Sequence, residues 1–180
     1  KNLKSFIGCP LVYFSLAEIS LYMKKLINDH VDIVLNTDSR KLIQLVEQQN
    51  VLVCDYIVRA DELSGDHVPK VSVIRDCMIK MSEKKNQVYD VVVDLDITSP
   101  MRTLADLEKL LELKRMQKEA DVIFSVVESR RNPYFNMVKK EEGTSFYCRA
   151  LESDFATRQQ APVFFDMNAS MYAYSPDALK

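Results

Sequence analysis

Apolar residues recur at helical spacing over residues 11–27, where Val12, Leu16, Ile19, Met23 and Leu26 share one face, and the apolar run at 31–35 follows as a buried strand. Asp38 and Ser39 stand where a helix over 40–49 needs a cap, with Asp38 the favoured capping side chain, and 51–58 is again strand-like. Residues 59–69 are polar and contain Gly65 and Pro69, which predicts a loop, and 70–84 has the pattern of an amphipathic helix built on Val73, Ile74, Cys77, Met78 and Met81. The strongest strand signal is 89–95. Thr98, Ser99 and Pro100 end it, Thr103 caps a helix reaching about 117, and 121–127 is one more buried strand.

Apolar strands alternating with helices predict an α/β fold: a mostly parallel, Rossmann-like sheet covered by helices on both faces. The rhythm changes near Ser129. Short strand-like pieces at 134–138 and 145–149, then 167–174, predict a small antiparallel arm over 129–165, with 1–128 and 166–180 forming the core of a single 180-residue domain. Residues 175–180 read as the start of a helix, and the opening at Lys1 without a methionine suggests that sequence is missing at both ends. In open α/β sheets ligands sit beyond the carboxyl ends of the strands, which directs attention to Thr37, Asp38, Arg59, Asp96 and Thr98.

Composition removes several classes. A formal charge of −2 offers no general attraction for nucleic acid or anionic lipid, so an anionic ligand must be held by local groups. No apolar run approaches the length of a membrane span and no export signal opens the chain, so a cytoplasmic protein is expected. Cys9, Cys54, Cys77 and Cys148 are far apart and form no CxxC pair, which predicts reduced, mostly buried thiols. His30 and His67 are isolated and read as surface or loop residues.

The segment from Val93 to Arg102 places Asp94 and Asp96 on one face of a strand, since side chains alternate. Two acids on a core strand call for a metal, a cationic partner or a substrate hydroxyl; otherwise one caps the next turn and the other is solvated. Arg59 either grips a phosphate or base, or pairs with Asp61, Glu62 and Asp66. Lys70, opening a helix, adds a second cation where the helix dipole also favours an anion. Arg130, Arg131 and Arg158 supply positive charge late in the chain, or form solvated ion pairs.

Seven segments in one order resemble the acylneuraminate cytidylyltransferase family: Lys1-Asn2-Leu3; Asn36-Thr37-Asp38; Arg59-Ala60-Asp61-Glu62-Leu63; Leu95-Asp96-Ile97-Thr98-Ser99-Pro100-Met101-Arg102; Asn132-Pro133-Tyr134; Arg158-Gln159-Gln160-Ala161-Pro162; and Asn168-Ala169-Ser170-Met171-Tyr172. The resemblance implies transfer of CMP from CTP to a nine-carbon 2-keto acid sugar with release of pyrophosphate, in a homodimer using magnesium. It implies Lys1, Asp96 and Arg158 as catalytic residues, with Asn2, Arg59 and Lys70 facing the nucleotide. Asp96, Thr98, Arg158, Gln159, Asn168 and Tyr172 would face the sugar, Arg158 as partner of its carboxylate and reaching across the dimer.

Departures from the family pattern bear on substrate. Asp96-Ile97 replaces the Gln-Pro usual in sialic-acid enzymes and Arg59-Ala60 the usual Arg-Pro; together with the Lys70–Arg75 run this resembles the legionaminic-acid branch. The family's basic phosphate loop and its magnesium-binding Asp-x-Asp segment are absent, which leaves Asp94 and Asp96 as metal candidates. An enzyme for the eight-carbon acid KDO and a non-catalytic nucleotide-binding homologue are the alternative readings.

Overall fold

The structure, a computed structural model, describes residues 2–49, 52–65 and 67–180. After a tight turn at Asn2–Leu3 the chain forms a hairpin, β1 (Ser5–Phe6) with β2 (Cys9–Pro10), through Ile7 and Gly8 at φ 50° and 75°. Two successive positive φ angles suit the twist of a two-residue hairpin loop. This hairpin was not anticipated, because two-residue strands are too short to show a period.

Helix α1 (Leu11–Met23) follows, shorter than the pattern to 27 because the chain leaves the helix after Met23. Strand β3 (Val34–Thr37) begins three residues later than the apolar run suggested and pairs in parallel with β4 (Asp55–Val58), from Val34 opposite Asp55 to Thr37 opposite Val58. Val51, in the strand expected at 51–58, lies outside the described residues. Between them runs α2 (Arg40–Glu47), and its cap is Ser39, whose Oγ accepts the Leu42 N–H at 3.3 Å. Asp38 is not the cap: the Thr37 hydroxyl accepts the Ser39 N–H at 3.1 Å, which sets Ser39 in the capping position and leaves Asp38 exposed. Val12 and Leu16 of α1 close over Leu42 and Val46 of α2, with Leu35, Cys54 and Tyr56 beneath.

Helix α3 (Lys70–Lys85) follows Pro69 and ends at Asn86 in the left-handed conformation. Strand β5 (Val92–Leu95) pairs antiparallel with β9 (Phe165–Tyr174), which also neighbours β6 (Val122–Glu128). The expected parallel order is thus seen in β3–β4 but not in β5–β9, since the chain re-enters this sheet from the end opposite to β5. Helix α4 (Leu104–Met116) starts with a reciprocal cap: Asp106 N–H to the Thr103 hydroxyl at 3.3 Å, and Thr103 N–H to the Asp106 carboxylate at 2.9 Å. Its Leu107, Leu110 and Leu111 cover Met171 and Ala173 on one face of the sheet, while Ile74 and Met78 of α3 cover Tyr174 and Val92 on the other. Among the described residues no helix is long and apolar enough to cross a membrane.

The chain divides into two compact units, Lys1–Phe124 with Ala169–Lys180, and Ser125–Asn168. The second contains the antiparallel pair β7 (Val138–Lys140) and β8 (Tyr147–Arg149) and a 3-10 turn at Arg158–Gln160. Residues 134–136 form a turn rather than the expected strand, because the Asn132 side chain accepts the Tyr134 N–H at 3.0 Å and its carbonyl accepts from Phe135 and Asn136. Tyr134 packs edge-on against Phe155 and Phe164. Residues 175–180 form a 3-10 turn, Pro176–Leu179.

Candidate active site

Asp94 of β5 and Asp96, one residue past its end, lie on the same side, both facing Lys70, and the antiparallel register sets Tyr172 directly opposite Asp94. Over this face lies Lys70, at the first position of α3, its ammonium 2.5 Å from Asp94 Oδ2, 3.6 Å from Asp96 Oδ2 and 5.6 Å from the Tyr172 ring centre. Burial opposes the charge on Lys70, but the hydrogen bond it donates to Asp94 and the charges of Asp94 and Asp96 outweigh it and raise its pKa. The cation required by two acids on one strand face is therefore Lys70. Two carboxylates against one ammonium leave the group with a negative excess, suited to the hydroxyl or N–H donors of a ligand rather than to another anion.

Asp96 spends Oδ1 on the turn that follows it, accepting the Thr98 N–H at 2.7 Å and the Thr98 hydroxyl at 2.6 Å. Burial raises its pKa, but these bonds and Lys70 prevail and hold the carboxyl below the usual range. Oδ2 faces Lys70 at a distance that leaves acceptor capacity. Beside the acids, Tyr172 stacks with Phe124 and Tyr174, centroids 6.0 Å apart in both pairs, which gives an aromatic wall of the kind sugar rings pack against.

At the end of the β3–β4 pair, Arg59 donates from Nε to the Asn36 side chain and from Nη2 to the Asn36 carbonyl, both at 3.1 Å. Of the acids offered as its partners, Asp61 and Glu62 are not hydrogen-bonded to it and Asp66 lies outside the described residues; the fork is taken up by the neighbouring strand end, which fixes the guanidinium plane. Helix α3 meets the same place through Cys77, whose thiol is pushed up by burial against the opposing bond with Asn36. All four cysteines are free and partly buried. His30 is exposed, 3.4 Å from Asp32.

Of the residues singled out in the sequence, Lys70, Asp94, Asp96, Thr98 and Tyr172 come together, and Arg59 lies with Asn36. Asn2 is exposed in the opening turn; Lys1 lies outside the described residues. In the second unit Arg158 donates to the Arg130 carbonyl at 3.1 Å, Gln159 is exposed, and Asn168 accepts the Ser125 hydroxyl at 2.6 Å. Among the described residues no three metal-ligating side chains cluster, and the Lys70 ammonium engages Asp94 and Asp96.

Two residues escaped the sequence reading. Arg102 and Glu18 form a buried ion pair at 2.9 Å, their side chains 5% and 6% exposed. Arg102 stood inside the Thr-Ser-Pro-Met-Arg motif, but a buried arginine has no periodic signature, and Glu18 sits on the apolar face of α1 as an isolated acid.

The fold matches that of CMP:2-keto-3-deoxy-manno-octonic acid synthetase solved with CTP, with a TM-score of 0.65 at 18% identity, over 99% of this chain and 68% of that one. No family model matches the sequence. The post-translational flagellin modification protein B of Campylobacter coli is 33% identical over 147 residues, 82% of this chain. The CMP-N,N'-diacetyllegionaminic acid synthase of Campylobacter jejuni subsp. jejuni serotype O:2 is 29% identical over the same share. These likenesses support a place for the chain among the CMP-nonulosonate cytidylyltransferases. It spans 60% of the length of each of these two relatives.

Proposed function

We propose that this chain is the core of a cytoplasmic cytidylyltransferase that joins CTP to a nine-carbon 2-keto acid sugar, of legionaminic or sialic type. The anomeric hydroxyl oxygen bonds to the α-phosphorus and the bond from that phosphorus to the bridging oxygen breaks. Pyrophosphate leaves and the hydroxyl proton passes to solvent or a nearby base. Such a transfer needs alignment and charge neutralisation more than covalent chemistry from the protein. Magnesium enters the proposal as the companion of CTP.

The observation that carries this reading is the strand-end group of Lys70, Asp94, Asp96 and Tyr172, in a chain similar to a protein named as a CMP-N,N'-diacetyllegionaminic acid synthase. Asp96 and Thr98 would meet sugar donors, with Tyr172 against the ring. Arg59, held by Asn36, would meet the nucleotide, with Asn2 and Lys1. Lys70 stands with Asp96 and Tyr172, which favours the sugar over the nucleotide assignment. Arg158, Gln159 and Asn168 would also face the sugar, Arg158 in trans within a homodimer. In this reading β3–β4 and β5–β9–β6 are parts of one Rossmann-like sheet, and residues 129–165 are the dimerisation arm.

Incubation of the full chain with CTP, magnesium and a panel of legionaminic, sialic, pseudaminic and KDO acids, followed by pyrophosphate release, tests the proposal. Release with a nine-carbon acid supports it; release with KDO alone transfers the activity to the eight-carbon class, and CTP binding without turnover leaves a nucleotide-binding homologue. Mixed dimers of Arg158→Ala and Arg59→Ala subunits regain activity if Arg158 acts in trans.

A further inference from the structure

Arg102 is almost wholly buried and binds three elements at once. Its Nε donates to Glu18 at 2.9 Å and its Nη2 to the Ser15 hydroxyl at 2.7 Å, both on α1. Its Nη1 donates to the Asp96 carbonyl at 2.7 Å, just past β5, and to the Ser170 carbonyl at 3.1 Å, on β9. The Ser170 carbonyl also accepts the Asp96 N–H at 3.0 Å, so one oxygen ties β9 both to the residue carrying the site carboxylate and to the guanidinium.

A core has no need of this arrangement for stability alone, since well-packed apolar residues do as well as a buried ion pair or better. Ser15 and Glu18 are 5% and 6% exposed, and Glu18 Oε1 has no hydrogen-bond partner among the described residues. What the planar fork supplies is direction: its donors diverge at fixed angles toward α1, β5 and β9. Helix α1 follows in sequence from Asn2 and the β1–β2 hairpin, while Asp96 carries one of the bonded carbonyls and Tyr172 lies two residues beyond Ser170 on β9.

We propose that Arg102 is a positioning residue that locks α1 to the carboxyl end of β5 and to β9, aligning the nucleotide half of the site with the sugar half. This rests on the cytidylyltransferase reading. A junction that aligns two separately bound reactants acts on turnover rather than on the binding of either one, because a misplacement of about 1 Å costs on the order of 100-fold in rate.

The test uses the full chain with CTP and the acid that the unaltered protein turns over, comparing Arg102→Lys and Ser15→Ala for kcat, both KM values and thermal unfolding. The expected result for Arg102→Lys is a folded protein with kcat lowered about 100-fold and both KM values within about threefold, because lysine cannot reproduce the fork. Ser15→Ala, which removes one prong, lowers kcat less at unchanged KM. Folded Arg102→Lys with unaltered kcat overturns the proposal, as does a tenfold rise in a single KM, which would place Arg102 in one substrate's site. If Arg102→Lys does not fold, Ser15→Ala decides: unaltered kcat overturns the proposal. Silence of the unaltered protein with every acid is a different failure, that of the cytidylyltransferase reading, and the alignment role falls with it.

Discussion

Tyr172 stands directly across the β5–β9 ladder from Asp94, and the Lys70 ammonium touches the carboxylate of one and lies over the ring of the other. Helix α3 is thereby fastened at its first residue to the face where the acids lie. Because Lys70 is about half exposed, solvent screens the pair and its coupling is modest. A double-mutant cycle with Lys70→Met and Asp94→Asn, read by urea unfolding, should return a coupling of about 1 kcal/mol. In a turnover assay Lys70→Met should raise the sugar KM and leave that of CTP near its original value; the opposite split would return Lys70 to the nucleotide.

Asp96 makes stability depend on acid pH. Its folded pKa lies below the unfolded value, so its contribution is present above the unfolded pKa and is lost as pH falls through the folded one. Stability followed from pH 7 downward should therefore drop through the carboxylate range, below about pH 4. Asp96→Asn should flatten that limb, and Thr98→Val should flatten it in part by removing the hydroxyl bond.

Arg59 is held by its own strand neighbour, which orients it before any ligand arrives. Arg59→Ala should weaken CTP binding about tenfold or more, a change within the range of one charge-assisted hydrogen bond. Arg59→Lys should restore little, since one ammonium cannot hold both Asn36 oxygens in the same plane. Calorimetric titration with CTP checks both variants.

The cap of α2 separates two adjacent residues. Ser39→Ala should cost about 1 kcal/mol, whereas Asp38→Ala, exposed and outside the cap, should stay within about 0.5 kcal/mol. Equal losses in chemical denaturation would show that Asp38 shares the capping role.

The helices were legible because α2, α3 and α4 each carry a cap, a proline entry or a run of leucines at the right period. Side-chain alternation likewise put Asp94 and Asp96 on one face. What alternation could not show was their partner, since Lys70 arrives from a helix outside that strand and only tertiary packing sets the distance. The direction of β9 was hidden for a similar reason: an apolar run has no polarity relative to its neighbour. Strand edges shifted too, 31–35 becoming Val34–Thr37, because pairing with β4 rather than apolar content defines the ladder. At Asn132 a local side-chain bond overrode the strand propensity of Tyr134 and Phe135.

The Glu18–Arg102 pair leaves a mark on descent. A lineage that loses either residue passes through an ancestor with one uncompensated charge in its interior, a step costing about 3–5 kcal/mol where a whole domain holds only about 5–15. Positions 18 and 102 are thus bound to a common history: they persist as acid and arginine, or they exchange together for an apolar couple, and divergent relatives can be sorted by which of the two states they inherited.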